Sequence, residues 1–298
     1  MNNRIYISSG ALKTRKFFQI IDLCRKHKFN NLELSSGILW EDGIIDFFIK
    51  TNYSNMNFII HNYFPPSKNP FVLNLASTDS SILEMSLDLC KKAIDLSALI
   101  RAPFYSVHSG IAANLEPKML GNPQIQSSLS HKNYIPYEIA YNIFVDSIIK
   151  LNNYAKKNGI PLLVENNIQT FSKRPKENLQ IFLMISASEI ERLINDVNDA
   201  NLGILIDVGH LKVNSIVFEF DPIDFISGLS SKIVAFHLSE NDGLSDLNLP
   251  FSKSSWFMPY LNKLQDSVII IETYNQSIAR INQQINIITS VIESANSH

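Results

Sequence analysis

The chain has 298 residues, 45% of them hydrophobic and 18% charged, with 26 Lys plus Arg against 28 Asp plus Glu and a formal charge of −2. That balance disfavours nucleic acid as a partner, because each phosphate contact draws on a Lys or Arg, and no apolar stretch approaches the roughly 18 residues that would span a membrane. Cys24 and Cys90 lack a metal or disulfide spacing, and the N-terminal Met-Asn-Asn-Arg-Ile-Tyr-Ile-Ser lacks the apolar core of a signal peptide, so a cytoplasmic location is expected.

Runs rich in Ile, Val, Leu and Phe alternate with longer amphipathic stretches. The first strand is expected at Arg4–Ser9 with a helix at Thr14–His27, the second at Asn31–Ser35 with Gly43–Lys50, the third at Asn57–Tyr63 with Ser80–Leu99, and the fourth at Phe104–Ser109 with Pro136–Asn158. The fifth is expected at Leu162–Asn166 with Ala187–Asn198, the sixth at Leu202–Val208 with Pro222–Gly228, the seventh at Ile233–Leu238 with Ser254–Lys263, and the eighth at Ser267–Thr273 with Ser277–Ala295. Eight such pairs, with no Gly/Ser/Pro linker between them, predict a single (β/α)8 TIM barrel over residues 1–298 in preference to an open doubly wound sheet. Two connections are long. Ile111–Ile135 is expected to act as a lid, and Asn167–Ser186, with Arg174-Pro-Lys-Glu, either flanks the pocket or forms a solvated loop.

Four of the later strands end in a group that binds divalent cations: Leu162-Leu-Val-Glu165, Ile204-Leu-Ile-Asp207, Val234-Ala-Phe-His237 and Val268-Ile-Ile-Ile-Glu272. Barrel active sites form at this C-terminal end, and alternation puts each polar residue on the face of the apolar residue two before it. A carboxylate after a strand can also cap the next helix, which explains Glu165 or Asp207 singly but not all four. Three carboxylates and a neutral imidazole suit one divalent ion, with Mn the first choice and Mg, Co or Zn alternatives. The site would keep a charge of about −1, able to polarise neutral hydroxyl and carbonyl oxygens. His61, His108 and His210 stand at comparable positions and are expected to face the substrate; His27, His131 and His298 are given no role. Glu33 either reaches the pocket or pairs with a basic neighbour. Trp40, Tyr63, Phe64 and Trp256 are candidate apolar walls.

In this order, Glu165-Asn166, Asp207-Val-Gly-His210, His237-Leu238 and Glu272-Thr273 resemble the xylose isomerase-like barrels. That superfamily includes sugar epimerases of the tagatose 3-epimerase type, inosose dehydratase, hydroxypyruvate isomerase and endonuclease IV, and the resemblance runs from the first strand to Glu272. The epimerase branch implies that Glu165, Asp207, His237 and Glu272 bind one metal, that Glu165 and Glu272 move the proton through an enediolate held there, and that His210 contacts a substrate oxygen. A dehydratase is the nearest variant, since the same intermediate can expel a β-hydroxyl.

The endonuclease IV branch, a trinuclear zinc phosphodiesterase acting on abasic DNA, has ligands resembling His61, His108, Glu165, Asp207, His210, His237 and Glu272. It also carries an Asp-x-His pair after strand seven, where this chain reads Asp246-Leu-Asn248. The missing imidazole removes a ligand of the third zinc and favours a sugar isomerase or epimerase. A barrel that binds a sugar without turning it over is a further alternative. No Gly-x-x-x-x-Gly-Lys phosphate cradle is present, so a free, phosphorylated or nucleotide-linked sugar all stay open. A homo-oligomer is in keeping with relatives of this shape.

Overall fold

In each strand of the computed structural model, which describes residues 4–50, 55–119, 133–170, 180–261 and 266–295, alternate side chains face opposite ways. The strands are β1 (Ile5–Ser8), β2 (Asn31–Leu34), β3 (Asn57–His61), β4 (Tyr105–His108), β5 (Leu162–Glu165), β6 (Leu202–Asp207), β7 (Ile233–Leu238) and β8 (Val268–Ile271). They run parallel in sequence order, and β8 pairs with β1 to close the barrel. Every expected strand is recovered, most of them trimmed by a residue or two.

Ile5, Ile7, Leu32, Leu34, Val164, Ile204, Ile206 and Phe236 pack outward against the helices in the main core. The intervening residues Tyr6, Ile59, Phe104, Leu163, Leu205, Ala235 and Ile270 form a separate apolar cluster, which is the filled interior of the barrel. Two residues further along each strand the same inner face carries Ser8, His61, Ser106, Glu165, Asp207, His237 and Glu272, all buried. The apolar layer is therefore the floor on which a polar ring stands.

The helices are Phe17–His27, Ile44–Lys50, Ser80–Leu99, Tyr137–Lys157, Ala187–Val197, Val208–Phe218, Pro222–Leu229, Met258–Leu261 and Ile278–Ala295. Their starts carry the capping expected of short polar side chains: Asp79 accepts from Ser81 and Ile82, Ser186 and Glu189 form a capping box, and Asp221 precedes Pro222. None of the described helices is long and apolar enough to cross a membrane.

Two expectations are corrected. The helix at Val208–Phe218 has no counterpart in the sequence pattern, because Val208, Gly209, His210, Leu211, Val213 and Asn214 are all buried and the segment has no polar face to set a period. The helix expected at Ser254–Lys263 begins only at Met258, since hydroxyl bonds among Ser252, Ser254 and Ser255 hold the preceding residues in a turn; residues 262–265 lie outside the described residues.

The ends of the two long connections meet beside the mouth. Ile111 bridges Phe182, Ala113 bridges Tyr134, and Val72, Ile111, Ala113 and Ile181 form a small apolar cluster. Asn74 ties it down by donating to the Ile111 and Ala113 carbonyls and accepting from the Ile111 amide. The rest of the expected lid, 120–132, and Arg174-Pro-Lys-Glu lie outside the described residues.

Candidate metal centre

Glu165 and Asp207 end β5 and β6, His237 is the penultimate residue of β7, and Glu272 follows β8, its amide still bonded to the Leu238 carbonyl. Their ligand atoms all lie within 4.8 Å of one another, and all four residues are buried. His237 Nδ1 is 2.9 Å from Glu272 Oε2, 3.5 Å from Glu165 Oε1 and 3.9 Å from Asp207 Oδ2.

Several of these atoms have no hydrogen-bond partner: both oxygens of Glu165, Oδ2 of Asp207 and Nδ1 of His237. Leaving so many buried polar atoms unsatisfied costs about 1–3 kcal/mol each, more when charged. A cation bound between them would satisfy all of them together, so the donor set fits a divalent metal.

The tautomer of His237 points the same way. Its Nε2 lies 2.8 Å from Glu33 Oε1, with both residues fully buried. A carboxylate accepts, so Nε2 carries a hydrogen, and Nδ1, whose own proton a bound cation would displace, is the nitrogen turned toward the three carboxylates. Glu33, left open by the sequence, thus reaches the pocket and pairs there with His237.

Asp207 divides its oxygens. Oδ1 accepts from the His210 amide at 2.8 Å and caps the helix Val208–Phe218, while Oδ2 faces the centre. One side chain thus caps the helix and still turns an oxygen to the centre. Asn166 braces it, with Oδ1 accepting from the Asp207 amide at 2.7 Å and Nδ2 donating to its carbonyl at 3.1 Å. Gly209 permits the close approach of this helix to β7, since a Cβ there would lie 2.5 Å from Ser239 Oγ and 3.1 Å from Asp207 Oδ1.

His61 and His108 end β3 and β4, and each Nε2 lies 3.3 Å from Glu165 Oε2. With Glu165 they make a second group of possible ligands, and His61 Nδ1 is fixed by Ser106 Oγ at 2.9 Å. His210 stands on the first helical turn, not on a strand. Its Nδ1 donates to the Asn166 carbonyl at 2.8 Å, and its Nε2 lies 3.5 Å from Asp246 Oδ2. Asn248 donates to the other oxygen of Asp246 at 2.9 Å.

Charge follows position. Burial lowers the pKa of His61 and His108, with Glu165 acting against it. Burial opposes charge on His237 as well, but Glu272, Glu33 and Glu165 outweigh it and raise its pKa well above the ordinary value; Asp207, Asp246 and Glu165 do the same for His210. Burial, aided by Glu272 and Glu165, pushes Asp207 up to about 7. Glu272 is raised by burial, with Glu165 and Glu33 adding to it. Glu165, although buried, is held well below the usual carboxylate range by His108, His237 and His61.

Of the candidate walls, Phe64 is fully buried against Phe17 and Phe48, and the Tyr63 hydroxyl accepts from the Leu73 amide, so both serve packing. Trp40 stays exposed, with the Lys68 ammonium 5.0 Å from its ring centre. Trp256 packs edge-on against Phe257. Tyr274 was not singled out by its sequence, yet the charges acting on its phenol are those of the centre: Glu272 first, then, after burial, Asp246, Asp207 and Glu165, which together raise its pKa well above the ordinary value.

Residues 21–291 match the family of the xylose isomerase-like TIM barrel. The chain belongs to that family. Within reach of this xylose isomerase-like barrel is an uncharacterized protein of Methanocaldococcus jannaschii, 24% identical over 68% of this chain and 61% of its own length, so the chain spans less than two thirds of that relative. Among solved structures, a D-tagatose 3-epimerase-like protein is 19% identical with a TM-score of 0.72, covering 99% of this chain and 98% of the other. An L-ribulose 3-epimerase is 14% identical with a TM-score of 0.67, covering 99% and 96%. At these identities the solved structures establish the shared fold.

Proposed function

We propose that the chain is a divalent-metal-dependent isomerase or epimerase of a sugar or sugar derivative. The observation that carries this reading is the buried group of Glu165, Asp207, His237 and Glu272, whose ligand atoms converge within 4.8 Å, with both Glu165 oxygens, Asp207 Oδ2 and His237 Nδ1 lacking hydrogen-bond partners. The similar structures named for 3-epimerases of tagatose type and of L-ribulose support the same chemistry.

A divalent cation, Mn by first choice, would be held by these four residues and would supply Lewis-acid polarisation of a carbonyl oxygen. The chain supplies the proton traffic. Glu165 and Glu272 approach the pocket from non-adjacent strands, and each has an oxygen able to take a carbon-bound proton or return it. His61, His108 and His210 line the same mouth and offer imidazole groups to substrate oxygens.

A second reading, a phosphodiesterase, is favoured by one observation: His61, His108 and Glu165 form another possible ligand group that shares Glu165 with the first. Against it, Asn248 donates a hydrogen bond to Asp246 where a third metal set would need an imidazole, and the chain has no basic surplus. Elemental analysis together with deuterium wash-in over a panel of ketoses separates the two. One metal per chain with solvent deuterium entering the sugar supports the isomerase; two or three zincs with cleavage of an abasic duplex supports the alternative.

A further inference from the structure

The segment that leaves β8 is stitched to the turn that leaves β1. Asn275 donates to the Gly10 carbonyl at 3.1 Å and Gln276 to that of Ala11 at 2.7 Å, while the Tyr274 amide donates to the Asn248 carbonyl at 2.9 Å. Tyr274 is thus fixed at its backbone from two sides. Its ring lies directly over Gly10: a Cβ on that glycine would come 2.8 Å from Cε1 and 3.0 Å from Cδ1. Despite this seating the residue is 44% exposed, and it stands two residues beyond Glu272. A rigid, half-exposed aromatic beside an acid ring does little for the core and is well placed to meet whatever enters the mouth.

We propose that the Tyr274 hydroxyl is a substrate-recognition group, which donates a hydrogen bond to a neutral hydroxyl of the bound sugar and lays its ring along the sugar's C–H face. This rests on the isomerase reading above and adds a substrate class to it: an unphosphorylated polyol chain at this end. The charge of the surroundings argues for neutrality. The ion pairs of Glu165, Asp207 and Glu272 among the described residues are all with histidines, and Asp246, bonded to the Asn248 that holds the Tyr274 amide and 3.5 Å from His210 Nε2, adds another carboxylate on that side. A phosphate dianion here would meet like charge, whereas a hydroxyl meets a donor and acceptors.

Gly10 gives the inference a second handle. It lies in a short turn, Ser9–Ala11, whose backbone tolerates a side chain, so a methyl group there acts mainly by displacing the ring. The experiment is deuterium wash-in by the manganese-loaded full chain on D-tagatose, D-fructose and their 6-phosphates, with metal content measured for every variant. Tyr274→Phe is expected to raise KM for the free ketose about 3- to 10-fold, the range of one lost hydrogen bond, with kcat within about twofold and metal content unchanged. Gly10→Ala is expected to raise KM similarly, and the double variant Gly10→Ala/Tyr274→Ala to be no worse than Tyr274→Ala alone. An unchanged KM in Tyr274→Phe, or a wild-type preference for the 6-phosphates, overturns this inference and leaves the isomerase reading standing. Absence of exchange on all four sugars by the wild-type protein overturns both.

Discussion

Replacing Glu33 by Gln removes a charge that bonds His237 from behind the centre and also acts on Glu272. The bond it supports, 2.8 Å between two fully buried groups, is of the charge-assisted kind, for which a contribution of about 1.5–3 kcal/mol is usual. At 1.4 kcal/mol per factor of ten, that is a loss of about 10- to 100-fold in metal affinity, the range found when groups behind a metal ligand are changed. There is also a reason of orientation. A glutamine amide can turn its NH2 toward Nε2, moving the imidazole proton to Nδ1 and aiming it at the cation. The assay is chelator-competition titration of Mn or Zn on Glu33→Gln and wild type, with circular dichroism to show that both are folded, and with melting measured with and without metal. The rise in Tm on adding metal is expected to shrink by a few degrees, because weaker binding gives less linkage stabilisation. A folded variant whose affinity stays within about twofold of wild type refutes the role assigned to Glu33.

Glu165→Gln and Glu272→Gln are each expected to slow solvent-proton exchange into a ketose about 10²- to 10⁴-fold, the usual worth of a general acid or base; exchange at the wild-type rate in either variant removes that residue from the proton path. Metal affinity is expected to fall as pH drops below about 7, because a proton on Asp207, whose pKa is pushed up to about 7, competes with the ion. The sign for folding runs the other way: Asp207 sits above its ordinary value, so metal-free stability from this group is present at low pH and lost as pH rises toward 7. The Tm gain on adding metal should therefore grow from about pH 5 to 8, and a pH-independent gain counts against this. Gly209→Ala, forcing a Cβ to 2.5 Å from Ser239 Oγ, is expected to cost about 1–3 kcal/mol, read by denaturant titration; a neutral result means the helix start moves freely.

The strands and the convergence of Glu165, Asp207, His237 and Glu272 are legible because both rest on the same period of two: the apolar floor at Leu163, Leu205, Ala235 and Ile270 predicts a polar position two residues on. The helix at Val208–Phe218 was illegible for the opposite reason, having no exposed face along its first turns and starting in the residue after β6. His210 was accordingly assigned to a rim that it does reach, but by way of a helix. Glu33 could not be settled from Asn-Leu-Glu-Leu because its partner His237 lies 204 residues away. Tyr274 gave no signal for a similar reason: its place is fixed by Gly10 and Asn248, and neither spacing has a pattern. Sequence reading recovers what local periodicity dictates and loses what closure of the ring brings together.

Glu165 has one oxygen toward each side of the mouth, Oε2 at 3.3 Å from His61 and His108 and Oε1 at 3.5 Å from His210 and His237. A carboxylate is planar, so a rotation about its last bond swings both oxygens at once. Turning it to serve one imidazole pair necessarily moves the oxygen offered to the other, so the two pairs share one torsion.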